Sequence, residues 1–308
     1  MSLGAYILRR VVRGSFTLWL VVTIVFVALR LSGDPAALML SENASAEDVA
    51  RLREQLGLNQ PLPVQYATFF SKVLFQGDLG QSIARKQPAS AVVAERLSAT
   101  LKLALTGFTL AMLIGLPAGL LAAVRRGTAL DQVAMVGALF GQVMPTFFLG
   151  TILILVFGLW LRLLPTSGDA TPWHLLLPAV TLAAAGGASI ARLSRSALLD
   201  VVRKDYMRTA YAKGLRERTA ILRHALRNAA IPVVTVLGIQ LGHMLSGAVA
   251  TEVVFAWPGV GRLAVTSIFQ RDYPVVQAVV LMIAGIYVIL NLAVDILYGW
   301  LDPKIRYQ

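Results

Sequence analysis

Gln240, His243, Ser246 and Gly247 recur at intervals of three or four residues inside an otherwise apolar stretch. On a helix this spacing gathers them on one face, with Met244 beside them. A polar face inside lipid must look toward protein or a water-filled path. Two readings stay open. Either Gln240, His243, Met244 and Gly247 line a translocation pathway, or Gln240 and His243 are satisfied hydrogen-bonders between helices. Asn291 and Asp295, four residues apart near the C-terminus, read as a helix-to-helix hydrogen-bonding pair rather than a proton site.

Catalytic patterns are missing. There is no G-x-x-x-x-G-K-[ST], no H-E-x-x-H and no G-x-S-x-G. The chain has no Cys, hence no disulfide, thiolate metal site or cysteine nucleophile. His174, His224 and His243 lie in distant regions and form no metal constellation. The expectation is a non-catalytic chain with no metal or cofactor of its own.

The elements that must position these residues follow from composition. Of 308 residues, 57% are apolar and 14% charged, where a soluble domain carries about 25% charged residues. Mean hydropathy is +0.70, as for a chain whose solvent is a bilayer. Lys and Arg outnumber Asp and Glu by 28 to 16. In a membrane protein that excess reads as basic loops that resist translocation, not as a nucleic-acid surface.

A hydrocarbon core about 30 Å thick needs about 20 apolar residues per helix. Six spans meet this, near Gly14–Leu31, Ala99–Val124, Gln132–Trp160, Leu175–Leu198, Ala230–Val254 and Val275–Gly299. Arg9, Arg10 and Arg13 precede the first without a small-x-small cleavage site after it, the pattern of an uncleaved signal-anchor. The segment Arg192 to Asn228 holds ten basic residues against Asp200, Asp205 and Glu217. Short loops on the opposite side carry only Arg162, Arg262 and Arg271. The asymmetry places both termini in the cytoplasm. Arg30, Lys102 and Arg162 sit near outer span ends, where long side chains snorkel, so a midplane ionisable relay is nearly absent.

Between the first two spans, Ser32 to Ser98 reads as a small extracytoplasmic helical cap. Ser45-Ala46-Glu47-Asp48 opens a helix that ends at Gly57. Pro61 and Pro63 open a second stretch reaching Gln76. Gly115 with Gly119, Gly137 with Gly141, and Gly238, Gly242 and Ser246 repeat every four residues. Such stripes allow close approach of helices, within this chain or against a second subunit.

The segment after the fourth span has helix signals of its own. Asp205 can cap a short helix with Tyr206, Thr209, Ala210 and Lys213 on one face, ended by Gly214. Small residues at Ala210, Ala212 and Gly214 would let a partner approach closely. The competing reading is a basic amphipathic element lying on anionic lipid. A further helix, Glu217 to Ala229, leads through Ile231-Pro232 into the fifth span.

Asp205-Tyr206-Met207-Arg208-Thr209-Ala210-Tyr211-Ala212-Lys213-Gly214-Leu215, with His224-Ala225-Leu226-Arg227-Asn228 and Pro232, resembles the cytoplasmic EAA loop of ABC importer permeases. More narrowly it is similar to the first membrane subunit of the dipeptide/oligopeptide/nickel family. The resemblance runs through Gly33-Asp34-Pro35, Leu56-Gly57-Leu58, Gly77-Asp78-Leu79-Gly80, Met144-Pro145, Leu164-Pro165, Trp257-Pro258-Gly259-Val260-Gly261, Arg271-Asp272-Tyr273-Pro274 and Asp302-Pro303. Arg208-Thr209-Ala210 stands where the general loop has Glu-Ala-Ala, so that consensus Glu has no counterpart here.

The resemblance implies an all-α polytopic membrane protein of six transmembrane helices with the type I importer permease fold. Residues 1–98 would be the anchor helix and cap, 99–300 the permease domain with its coupling segment at 192–228, and 301–308 a cytoplasmic tail. It implies an inner-membrane importer of short peptides, with nickel complexes or glutathione as alternative cargo. Implied partners are a second permease, two ATPase subunits or one fused ATPase holding ATP and Mg, and an extracytoplasmic substrate-binding protein. Asp205, Tyr206, Thr209, Ala210, Lys213, Gly214 and Leu215 would couple to the ATPase, while Trp257, Pro258 and Arg262 would lie at the binding-protein dock. A secondary carrier or channel is the alternative of another class, and a membrane scaffold a third.

Overall fold

Helices dominate because long apolar runs in lipid have to satisfy their own backbone polar groups. The computed structural model describes residues 3–31, 36, 45–55 and 57–301. Ser32, Gly33-Asp34-Pro35, Leu56 and the tail from Asp302 lie outside them, as do the side chains of Arg30, Ser246 and Asp295. The helices are α1 (Leu3–Leu31), α2 (Ala46–Gln55), α3 (Leu62–Ser71), α4 (Ala89–Val124), α5 (Ala129–Val143), α6 (Thr146–Leu153) and α7 (Leu176–Val202). There follow α8 (Asp205–Ala212), α9 (Glu217–Ala220), α10 (Leu226–Val254), α11 (Val260–Phe269) and α12 (Tyr273–Leu301). Five are long and apolar enough to cross a membrane, and a sixth span results if α5 and α6, with its π-helical continuation Ile154–Trp160, count as one.

The third span departs from the continuous helix expected over Gln132–Trp160. It bends by 105° between Val143 and Thr146. Met144 is extended, with φ −70° and ψ 123°, because the ring of Pro145 clashes with a helical preceding residue. The fifth span departs in the other direction. Helix continues from Glu217 through a π-helical turn at Ile221–Ala225 into α10, and Pro232 lies inside it.

The chain forms two compact units. One comprises residues 1–8, 100–257 and 290–308. At its core, the Gly115 and Gly119 stripe of α4 abuts α7. A Cβ on Gly115 would come within 2.6 Å of the Gly187 oxygen, and one on Gly119 would overlap the Ala191 carbonyl. This stripe is used within the chain. Glu252 is fully buried in α10 and accepts a 2.7 Å hydrogen bond from Thr100 Oγ1, so the spans hold a carboxylate that the expectation of a nearly absent ionisable set passed over. Beyond it, the αL residue closing α10 is Ala256 (φ 49°) where Gly is usual.

The other unit comprises residues 9–99 and 258–289. Here the first turn of α4 (Ala89, Val92, Val93) packs with Val260 and Leu263 of α11 and Val275, Ala278 and Val279 of α12. The Ser45 hydroxyl accepts from the Asp48 amide and donates to its carboxylate, capping the N-terminus of the cap's first helix as the sequence predicts. That hydroxyl, and then the Ser45 amide, hold the Asp48 carboxyl below its ordinary pKa. Gly57 and Gly77 take the left-handed conformation after the two cap helices. Tyr66 of α3 meets Phe26 of α1 edge-on and Phe69 lies tilted against it, which ties the cap to the first span. Asp272 is 2% exposed and accepts from Ser82 Oγ and from the amides of Ile83 and Ala84. That buried carboxylate holds the turn ahead of α4 to the start of α12.

Candidate functional site

The segment joining the fourth and fifth spans is nearly all helix. α7 runs to Val202, α8 occupies Asp205–Ala212, and only Arg203-Lys204 and Lys213–Arg216 are non-helical. Lys204 is the N-cap of α8 and makes no side-chain cap bond. Asp205 is therefore the first helical residue rather than the cap, where its charge still favours the helix N-terminus.

At the other end the Leu215 amide bonds the Ala210 oxygen and the Gly214 amide bonds the Tyr211 oxygen. With Gly214 at φ 79°, this is the six-to-one and five-to-two pairing of a Schellman stop. The glycine expected from sequence does terminate the helix. A Cβ there would meet nothing within 4 Å among the described residues, so its requirement is conformational and not spatial.

The face assignment is where the structure differs. Met207 is fully buried and Ala210 8% exposed. Met207 seats α8 on Ala123 of α4, Leu198 of α7, Ala220 of α9, Ala225, and Ala229 of α10. Ala210 is thus buried rather than on an open surface with Tyr206, Thr209 and Lys213, where it was expected. Those three, with Asp205, Arg208 and Ala212, are exposed. Leu215 is half-buried. Burial, with Glu217 adding, pushes the Tyr211 phenol up. Met207 was legible as the i−3 apolar partner of Ala210, but hydrophobicity alone does not tell a seat from a docking face.

A second contact braces α7, the helix that leads into α8. Arg195 of α7 donates to Asp131 of α5 through Nε (2.7 Å) and Nη2 (2.8 Å), and the Gly127 amide donates to the same carboxylate at 2.9 Å. Asp131 is 5% exposed. The fork-to-carboxylate geometry fixes α5 against α7 at Arg195, well before α8 begins at Asp205. Asp131→Asn should leave the guanidinium without its counter-charge. The expected cost is about 2 kcal/mol, below the usual loss for a buried pair because the Arg195 side chain is 25% exposed. A lowered unfolding temperature of the purified complex checks this. Arg195→Lys, which keeps charge without the fork, should recover only part of the loss.

Of the residues read as pathway lining, Gln240 donates to the Gly186 oxygen of α7 at 3.3 Å and Met244 is 4% exposed. Met244 packs on Gly186, whose missing side chain makes the room. His243 and Gly247 are exposed on the chain's own surface. Between Phe255 and α11, Trp257 is 2% exposed and supplies packing, whereas Arg262 is exposed and Pro258 half-buried.

Comparison with known proteins agrees with this architecture. Residues 115–307 match the family model of the binding-protein-dependent transport system inner membrane component. Residues 3–104 match the N-terminal model of the same transport-system membrane components. The chain is 44% identical over 304 residues to the glutathione transport system permease protein GsiC of Salmonella choleraesuis, covering 98% of this chain and 99% of that one. It is 42% identical over 314 residues to the probable peptide ABC transporter permease protein y4tP of Sinorhizobium fredii, covering 99% and 100%. A solved inward-facing MetNI methionine ABC transporter chain superposes with a TM-score of 0.60 at 18% identity, covering 69% of this chain and 97% of that one, which speaks to fold alone. The chain belongs to the binding-protein-dependent transport system inner membrane components, as a multi-pass transmembrane permease of an ABC importer.

Proposed function

We propose that this chain is one of two permease halves through which an importer moves short peptides, the tripeptide glutathione among them, with ATP hydrolysed in partner subunits. The observation that carries the coupling is α8. Met207 holds it on the membrane helices, with Ala210 also buried, while Tyr206, Thr209 and Lys213 are exposed. An ATPase subunit gripping that outer face would push on a rigid lever. The push would pass through the shared apolar seat into α4, α7 and α10 together, and a packed core transmits displacement because it cannot deform continuously. Both termini would then be cytoplasmic, the cap and α11 extracytoplasmic, and the Gln240 to Gly247 face beside the substrate path at the junction of the two permeases. The homologous relatives named for glutathione and peptide systems support the cargo class.

The test is a mild-detergent pull-down of the tagged chain from its own membranes, with an ATPase assay on the product. Recovery of a second multi-span protein together with P-loop subunits that hydrolyse ATP is expected. Recovery of this chain alone, after crosslinking as well, would overturn the importer reading.

A further inference from the structure

The two cap helices differ in charge. α2 carries Glu47, Asp48, Arg51, Arg53 and Glu54 within its ten residues. From Pro61 to Gly77, α3 and its π-helical continuation Lys72–Gln76 carry only Lys72. Within that second helix polarity is sorted by face. Gln65, Thr68, Lys72 and Gln76 recur at intervals of three, four and four, and Pro63, Ala67, Phe70 and Leu74 at four, three and four. The polar stripe therefore centres about half a turn away from the apolar one. Ala67, Leu74 and Phe75 are exposed, Phe75 by 81%.

A third side of the helix meets the first span. Tyr66 lies edge-on to Phe26, and its hydroxyl is 2.8 Å from Thr23 Oγ1. Thr23 sends its own proton to the Trp19 oxygen, so the Tyr66 O–H is the donor. Thr23 and Phe26 both belong to the membrane-spanning stretch Ile7–Ala28, and Thr23 lies about 7 Å of helix rise inside its Ala28 end. That depth is the one at which interfacial helices bury their apolar face, about 5–10 Å. Ile24 and Val27, each one residue beyond these contacts, are exposed, and the open apolar flank of a span meets acyl chains.

We propose that α3 and its continuation to Gln76 lie in the bilayer as an interfacial helix, with lipid acyl chains against Ala67, Leu74 and Phe75 and the stripe from Gln65 to Gln76 turned to the headgroups. The charged α2 stays in water. The acyl chains that wet Ile24 and Val27 continue onto α3. The inference needs only the bilayer and not the importer reading, although in the orientation proposed above the leaflet is the outer one. Local chemistry fits such a site. Pro63 has no amide proton, which removes one of the donors that a helix start leaves unpaired. The Gln65 side-chain amide is spent on the Leu58 and Gln60 oxygens. Lys72 has a stem long enough to carry its charge to the headgroups.

The chain has no Cys, so single cysteines can carry a nitroxide label. The complete transporter is labelled at Ala67→Cys, Thr68→Cys, Leu74→Cys or Phe75→Cys, with Arg51→Cys on α2 as the aqueous reference, and placed in nanodiscs of phosphatidylcholine and phosphatidylglycerol. Wild-type transporter gives the background from the partner subunits. Collisions with oxygen, which concentrates in lipid, are compared with collisions with a water-soluble paramagnetic chelate. The oxygen-to-chelate ratio at Ala67→Cys, Leu74→Cys and Phe75→Cys is expected to be several-fold above that at Arg51→Cys, with Thr68→Cys between them. Ratios at Leu74→Cys and Phe75→Cys equal to that at Arg51→Cys would place α3 in water and overturn the proposal. Low access of both reagents at these sites means that a protein surface covers the face, which overturns it as well. The pattern is read across several positions, so one misfolded variant does not decide it.

Discussion

Met207→Asp is expected to abolish uptake while leaving the membrane helices inserted and the protein abundant. The side chain is fully buried in the seat that holds α8, and a carboxylate there has no counter-charge among the seat's apolar residues. Truncation to Ala alone should cost about 2–5 kcal/mol by the usual measure of deleting a buried methionine. The charged variant should cost more, because an unpaired ion is expelled from the core. The cheapest escape is to undock α8, a short helix marginal without its tertiary contacts. Transport assayed in vesicles, with ATP hydrolysis measured in parallel, should show uptake lost and hydrolysis no longer stimulated by substrate. Tyr206→Ala gives the contrast. Tyr206 is 42% exposed, so its loss should weaken the ATPase contact while α8 stays seated, and protease resistance of the segment should fall only in the Met207 variant. Wild-type uptake by Met207→Asp would remove α8 from the coupling role.

Gly119→Leu is expected to be the most damaging single change within the spans. Any Cβ at this position overlaps the backbone carbonyl of Ala191, and Gly115, one turn earlier, meets the Gly187 oxygen and the side chain of Ile190. Backbone cannot rotate aside as a flexible side chain would, so α4 and α7 must separate along their contact. Overpacking of this kind costs about 3 kcal/mol, the upper end of its usual range. The readout is thermal stability of the purified complex. Gly137→Ala is the control. A Cβ there meets nothing within 4 Å among the described residues, and replacing a mid-helix glycine should stabilise the isolated helix by up to about 1 kcal/mol. Equal effects of the two substitutions would refute the α4–α7 packing described.

Local structure was largely legible in the residue order. The capping box at Ser45 and Asp48, the glycine stops at Gly57, Gly77 and Gly214, and the short helix ending at Ala212 all follow from chemistry that acts within a turn or two. The spans were legible because lipid demands length and apolarity, and both are countable. Met144-Pro145 showed a break to anyone weighing the proline, although its angle of 105° depends on what α5 and α6 pack against.

Only the tertiary structure decided which face of each helix does what. In lipid the side toward a neighbour and the side toward acyl chains are equally apolar, so hydrophobic periodicity loses the direction it carries in water. The glycine stripe on α4 found its partner in α7, while Gly137 meets nothing within 4 Å among the described residues. The pairs Asp131 with Arg195, 64 residues apart, and Ser82 with Asp272, 190 apart, bridge separate elements. The sequence by itself determined the membrane, the spans, the turns and the family. Which distant charges and small residues meet was decided by packing, because burying a carboxylate is tolerable only where the fold brings its donors to it.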